Sequence, residues 1–451
     1  MDSADLDYRT RTLSGCIPPI LVSRLLELGH EEEVEFQAGR GEWFCAREWA
    51  RLIGDQGRQA RALEVLAPYV MTGWWPAAQV QAELLESWGR AEEAIALVRP
   101  YARVGGFKLE FLARLLARHG RLEEAFTSLS AGIEDPNLAG ALVDITDGAA
   151  RDEEVAALLA ARIPARHRCD GPWCCRGLAP DTAIGLLASV RERQGRSDEA
   201  IALLHTRQST SVNGRDQLAD LLARQDRIEE LRAYAASEHH GHAAQRLAEV
   251  LEERGDVEGA IAVYRQPGDS PAGQCHDAVQ LAQFLARHDR GDEAIEVMRT
   301  LADSPDGTQD WIVDTLCTLY ADHGRARDGL AHLDTLKARR DGEEEWDFFR
   351  MRLRLMADGG SLDEVIEQAR AHPEGDTSYA ARTLSDLLAE TGRTEDALAV
   401  LEPHAPANRD ALAAHLIDLG RVKDAVALLQ HREPEQATHV WTGTFSTEPR
   451  P

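Results

Sequence analysis

The sequence predicts an all-α solenoid of about 12 to 13 antiparallel helix pairs, and three observations carry that prediction. The first is the stretch LARLLARHGRLEEAFTSL, residues 112 to 129, which reads as helix, break, helix. Leu112, Leu115 and Leu116 recur at helical spacing, Gly120 suits the left-handed end of a helix, and Glu123, Glu124, Ala125 and Leu129 start another. The second is that this break returns at Gly29, Gly57, Gly89, Gly120, Ala150, Gly195, Asp226, Gly255, Asp289, Gly324, Gly360, Gly392 and Gly420. The steps run from 28 to 36 residues, with one of 45 between Ala150 and Gly195, and the first and fifth units are weak matches. The third is that fixed slots around each break keep their character.

Seven residues before the break stands a small residue: Ala50, Ala82, Ala113, Ala188, Ala219, Ala248, Ala282 and Ala413, with Cys317 and Ser385 as small substitutes. Five after it come Ala62, Ala94, Ala125, Ala200, Ala260, Ala294, Ala397 and Ala425. Small residues let helix axes approach closely. Larger apolar residues four before (Leu85, Leu116, Leu222, Leu251, Leu285, Tyr320) and nine after (Leu66, Val98, Leu129, Leu204, Met298, Leu401) fill the grooves.

A helix pair of about 34 residues with a small residue mid-helix, Gly at the turn and Ala early in the second helix resembles the tetratricopeptide repeat. The resemblance spans roughly residues 17 to 431 and is of a degenerate, bacterial type. Most units lack the Trp of the family's first helix. The resemblance implies a right-handed superhelix whose concave face is lined by the first helix of each unit.

Composition agrees. A solenoid buries its apolar faces only between neighbours, so 451 residues need no single large core. Charged residues make up 28% and aromatic ones 6%, which suits long helices. A formal charge of −27 disfavours polyanions, so no nucleic acid is expected as partner. Seven cysteines, an odd number with scattered spacing, form no disulfide framework and fit a reducing compartment. There is neither a signal-like N-terminus nor an apolar run of membrane-spanning length, so the expectation is a cytoplasmic protein with no membrane partner.

Along the chain, residues 1–41 read as a polar tail and an irregular capping unit, EEEVEFQAGRGE being poorly helical. Residues 42–161 are a first run of repeats, with Trp43, Trp49, Trp74, Trp75 and Trp88 expected to pack between units. Residues 162–180 hold HRCDGPWCCRGLAP, an insertion rich in turn formers; 181–431 are a second run, and 432–451 are an aperiodic tail read as disordered.

Few residues suggest chemistry. His167, Cys169, Cys174 and Cys175 offer thiolate and imidazole ligands within nine residues, a conceivable Zn²⁺ set. The C-x4-C-C spacing is poor for one tetrahedral metal, however, so no cofactor is expected. His239, His240 and His242 read as a solvated helix entry. Arg follows ten of the thirteen breaks, which points to stapling of turns and not to a site. Phosphate-loop, zinc-protease, nucleophile-elbow and dinucleotide motifs are all absent, and the chain is read as non-enzymatic.

Binding is the remaining class. Residues ten and six before each break lie four apart on one helix face, and the resemblance points them into the concave surface. They form bands: basic Arg47 and Arg51; then Gln79 and Glu83, Glu110 and Arg114; acidic Asp216 and Asp220, Gln245 and Glu249, then Asp314; and basic Arg350 with Arg354, followed by Arg382 with Asp386, and Asp410. The expected function is a protein- or peptide-binding scaffold. The alternatives are a ligand- or peptide-sensing regulatory component, or a metal- or redox-responsive protein acting through residues 167–175. The small slots give a first prediction: Ala113→Leu overpacks one junction and costs about 1–3 kcal/mol, visible as a lowered melting midpoint.

Overall fold

The structure, a computed structural model, describes residues 2–163, 177–207, 211–212, 215–237, 242–266, 271–304, 307, 309–340, 342–359 and 362–431. Among these, one N-terminal helix, Ser3–Thr12, precedes thirteen helix pairs, from Pro19–Glu27 with Glu31–Gly39 to Arg409–Asp418 with Val422–Gln430. The only strands among them are the two-residue partners Ser211–Val212 and Arg215–Asp216. The chain is an all-α helical-repeat protein.

Each pair is made by one backbone device. Every described break residue has positive φ, including the non-glycines Ala150, Asp226 and Asp289 at 56°, 59° and 58°. At most breaks the N–H of the following residue donates to the carbonyl five residues earlier, as in Arg90 to Leu85 (2.8 Å), Arg121 to Leu116 (2.9 Å), Arg290 to Leu285 (2.9 Å) and Arg421 to Leu416 (2.8 Å). This closes an orphan carbonyl at the end of the first helix, and it needs a left-handed residue in between. The large residue four before the break therefore fills a groove with its side chain and accepts this bond with its backbone.

Packing follows from the small slots. Every alanine five after a break is fully buried, and the small residues seven before it are at most 5% exposed, Cys317 being the most exposed of them. Trp43, Trp49, Trp74 and Trp75 are buried as well, and Trp43 lies against Tyr69 and Trp74 with ring centroids 5.1 and 4.9 Å apart. The tryptophans are packing residues.

At five breaks the arginine after the break links units: Arg151, Arg196, Arg227, Arg290 and Arg325. Arg227 pairs with Glu230 of its own second helix and with Asp198 of the preceding unit, both at 2.6 Å. Arg290 does the same with Glu293 (2.6 Å) and Glu258 (2.7 Å), and Arg325 with Asp328 (2.7 Å) and Asp292 (2.9 Å). Each exposed rung is weak alone, and the rungs recur at the same position of successive pairs.

Two N-terminal segments are more ordered than their sequence suggests. Residues 3–12 form a helix capped by Asp2, with Leu6 buried and the Trp74 Nε1 donating to Asp7 Oδ1 at 2.7 Å. EEEVEFQAG is helical too: its three leading glutamates complement the helix dipole, and Val34 and Ala38, four apart, are buried. Most of the insertion at 162–180 and all of the tail at 432–451 lie outside the described residues.

The chain divides into two compact units, one of Met1–Ala94 with Ala369–Pro451 and the other of Ile95–Gln368. In the first, a single apolar cluster joins residues from both ends of the chain.

The turn device is testable at two breaks. A Cβ on Gly120 would meet nothing within 4 Å, so Gly120→Ala isolates the backbone cost of φ +76° and should destabilise by about 1–2 kcal/mol. Asp289→Gly relieves the same strain and should stabilise by about 0.5–1 kcal/mol. Urea midpoints of the two variants should move in opposite directions.

Candidate functional site

The residues ten and six before consecutive breaks do converge in one place. Asp216, Asp220, Gln245 and Glu249, with Arg224, His242 and Arg246, line an open polar cavity of about 520 Å³. Its walls are the first helices of two successive pairs, Gln217–Arg224 and His242–Glu253. Spacing by four places Asp216 with Asp220, and Gln245 with Glu249, on one side of each helix.

The seven residues are not equally available. Asp216 is 3% exposed and is the N-cap of its helix: Oδ1 accepts from the N–H of Leu218 (2.9 Å) and of Ala219 (3.1 Å), and Oδ2 from the Tyr234 hydroxyl (2.6 Å). Its carboxylate is fully used in holding the helix start, so Asp216 shapes the wall and offers no free oxygen. Arg224 turns to the preceding pair and binds Glu192 through Nε (2.9 Å) and Nη2 (2.8 Å), which hold its guanidinium above the usual arginine range.

What remains of the lining is Asp220, His242, Gln245, Arg246 and Glu249, one guanidinium beside two carboxylates, with Glu253 further along the same helix. Arg246 Nη1 donates to Glu249 Oε2 at 3.1 Å and lies 3.5 Å from Glu253 Oε1. Its Nε is 3.4 Å from Asp220 Oδ1, an ion pair without hydrogen-bond alignment, so that buried N–H is unsatisfied. Gln245 Nε2 donates to the other Glu249 oxygen at 3.1 Å. The side chains of Asp220 and Glu249 are 34% and 42% exposed, and they give the cavity its acidic, accessible face.

The other band residues are placed elsewhere and are largely paired. Arg47 Nε donates to Glu48 Oε1 at 2.6 Å; Arg51 shares that oxygen at 3.2 Å and sits 3.6 Å from Glu83. Arg382 Nε bonds both oxygens of Asp386, at 3.0 and 3.1 Å, in the unit that does not contain Arg350 and Arg354. Arg350 lies 3.7 Å from Asp314, and the exposed Arg354 makes no ion pair among the described residues. His167, Cys169, Cys174 and Cys175 lie outside the described residues, as do His239 and His240. Within the described residues no group of three or more potential ligands is arranged for a metal, and no helix is long and apolar enough to cross a membrane. Cys16, Cys45, Cys275 and Cys317 are buried and free; burial raises the Cys16 thiol to about 11, the Cys317 thiol to about 12 and the Cys45 thiol further. Thiols so protonated are poor nucleophiles.

Reading two positions per helix missed Arg246, His242 and Arg224. Arg246 was within reach of the sequence, since it precedes Glu249 by three on the same helix. A serine–histidine contact also emerged that no motif announced: the Ser385 hydroxyl lies 2.9 Å from His415 Nε2. Ser385 is fully buried at a small slot, so this is an inter-repeat hydrogen bond with no substrate access.

No protein-family model and no curated protein matches the chain. Among solved structures, Naa15/Naa10 bound to HypK-THB is similar over 91% of this chain and 74% of that one, at 14% identity and a TM-score of 0.41. The pentatricopeptide repeat protein PPR10 from maize is similar over 92% of this chain and 67% of that one, at 15% identity and a TM-score of 0.33. Likeness this distant carries nothing about binding.

The buried histidine makes stability depend on pH. Burial holds His415 below the ordinary imidazole value, with Arg382 acting in the same direction and Asp418 and Asp386 opposing. A histidine kept neutral in the fold contributes stability that is complete above its unfolded pKa, about 6.5, and is lost as pH falls from there through the folded value. Burial lowers His332 too. His415→Gln should therefore shrink, without abolishing, the drop in urea midpoint between pH 7.5 and pH 5.5.

Proposed function

We propose that the chain is a non-catalytic scaffold of tetratricopeptide-like type that binds a protein or peptide along the first helices of its repeats. The observation that carries this reading is the convergence of the same two positions of consecutive repeats on one open cavity. Asp220 and Glu249 present accessible carboxylates there, and the chain as a whole carries −27, so the favoured segment is basic. Such a charge argues against long phosphate-backbone contacts. Among the described residues four cysteines are buried and outside any disulfide, which fits the reducing, cytoplasmic setting we propose.

A second reading is supported by the cavity itself. About 520 Å³ falls within the range of small-molecule sites, so a polar, cationic ligand could sit there and bias the packing of the two helix pairs. The walls are more polar than most such sites, which favours the peptide.

The test is affinity purification from the native organism with mass spectrometry, comparing wild type, Asp220→Lys with Glu249→Lys, and Arg354→Glu. Both acidic positions are partly exposed, so the charge reversal should leave the helical circular-dichroism signal intact. A partner retained by wild type and Arg354→Glu but lost by the double variant is the expected outcome. Retention of every partner by the double variant would place the contact elsewhere.

A further inference from the structure

The end of a repeat array is a problem of unpaired apolar surface: the last helix pair has no successor to cover it, and arrays usually meet this with a polar outer face. Here the last described helix, Val422–Gln430, exposes Lys423 and Asp424 on one side but also carries apolar residues that are covered. Val422, Val426 and Leu429 are 8%, 4% and 1% exposed. At the other end, Leu21, Val22 and Leu25 of Pro19–Glu27 are at most 5% exposed. All of these belong to one apolar cluster, and no residue of 95–368 takes part in it.

Two polar contacts pin the same ends together. Arg24 Nε donates to Asp418 Oδ1 at 2.8 Å across a sequence separation of 394 residues, and Gln430 Nε2 donates to Gln37 Oε1 at 2.7 Å across 393. Both helices of the first pair are thereby tied to the last pair, the first helix to Arg409–Asp418 and the second to Val422–Gln430.

We propose that the first and last helix pairs are each other's caps and form a single cooperative folding unit. An ordinary array frays independently at its two ends, since each repeat contacts only its neighbours. In this protein the terminal pairs are neighbours. Destabilising one must then expose the apolar face of the other, although nearly the whole chain separates them in sequence. A partner that docks on either terminal pair acts on both.

The experiment is hydrogen exchange on the full chain read at residues 19–39. Leu416→Ala opens a gap in the last pair; amides of 19–39 should lose protection by about tenfold or more, while those of 271–302 stay unchanged. Protection lost only in 409–430 would overturn the proposal. A gentler variant covers the case in which Leu416→Ala disturbs folding broadly. Asp418→Arg faces Arg24 with a like charge, should raise exchange in 19–39, and should be rescued by Arg24→Asp in the same chain. Failure of that rescue counts against the contact. Arg24→Cys with Asp418→Cys, oxidised and mapped by mass spectrometry, should give the 24–418 link within one chain. Links only between chains would mean that the ends pair between copies instead.

Discussion

The structure depends on one hydrogen bond made possible by one dihedral angle. At each regular break the chain places a residue at φ between about 58° and 82°, and the next N–H reaches back to the carbonyl five positions earlier. The first helix ends there, with one of its orphan carbonyls satisfied, and the second starts one residue later. Because the reversal is always the same, the slots seven before and five after it always face their counterparts. Burial of every alanine in the second slot is the consequence. The fifth pair shows the converse. Its break is Ala150, the closing bond to residue 146 is missing, and Gly148 two residues earlier also takes a positive φ of 71°. Loss of the regular turn goes with the weakest match in the sequence.

This explains why the fold was legible and the site only partly so. A break, a small slot and a large slot are local requirements, each met by a few residue types, so thirteen units could be counted from sequence and thirteen helix pairs are found among the described residues. Helix Ser3–Thr12 was not legible because its anchors are tertiary: a single buried leucine and a hydrogen bond from Trp74, 67 residues away. Asp216 shows the same limit at the site. It lines the cavity, but whether its carboxylate is free depends on the Tyr234 hydroxyl from the next helix. A reading of Asp216 as an N-cap was available from its position before Gln217–Arg224, and it would have separated Asp216 from Asp220. The basic bands have a similar history. Arg47, Arg51 and Arg382 are each occupied by a local carboxylate.

The arginines also account for where the excess negative charge can act. Fifty lysines and arginines face 77 aspartates and glutamates, and many of the arginines are committed to rungs between units. A carboxylate in a rung has its cation fixed by the repeat geometry, so it contributes to the long-range field but leaves little for a ligand to gain. Asp220, Glu249 and Glu253 differ because all three pair with Arg246, one N–H of which is left without an aligned acceptor, while Asp220 also feels the charge of Arg224. A second cation entering the cavity would meet carboxylates that the fold has not neutralised. The field of the whole chain would steer it there, most strongly at low ionic strength, while the cavity would fix its register. Steering would thus come from the charge of the whole chain and register from the cavity, where Asp216 and Arg224 also hold the stack.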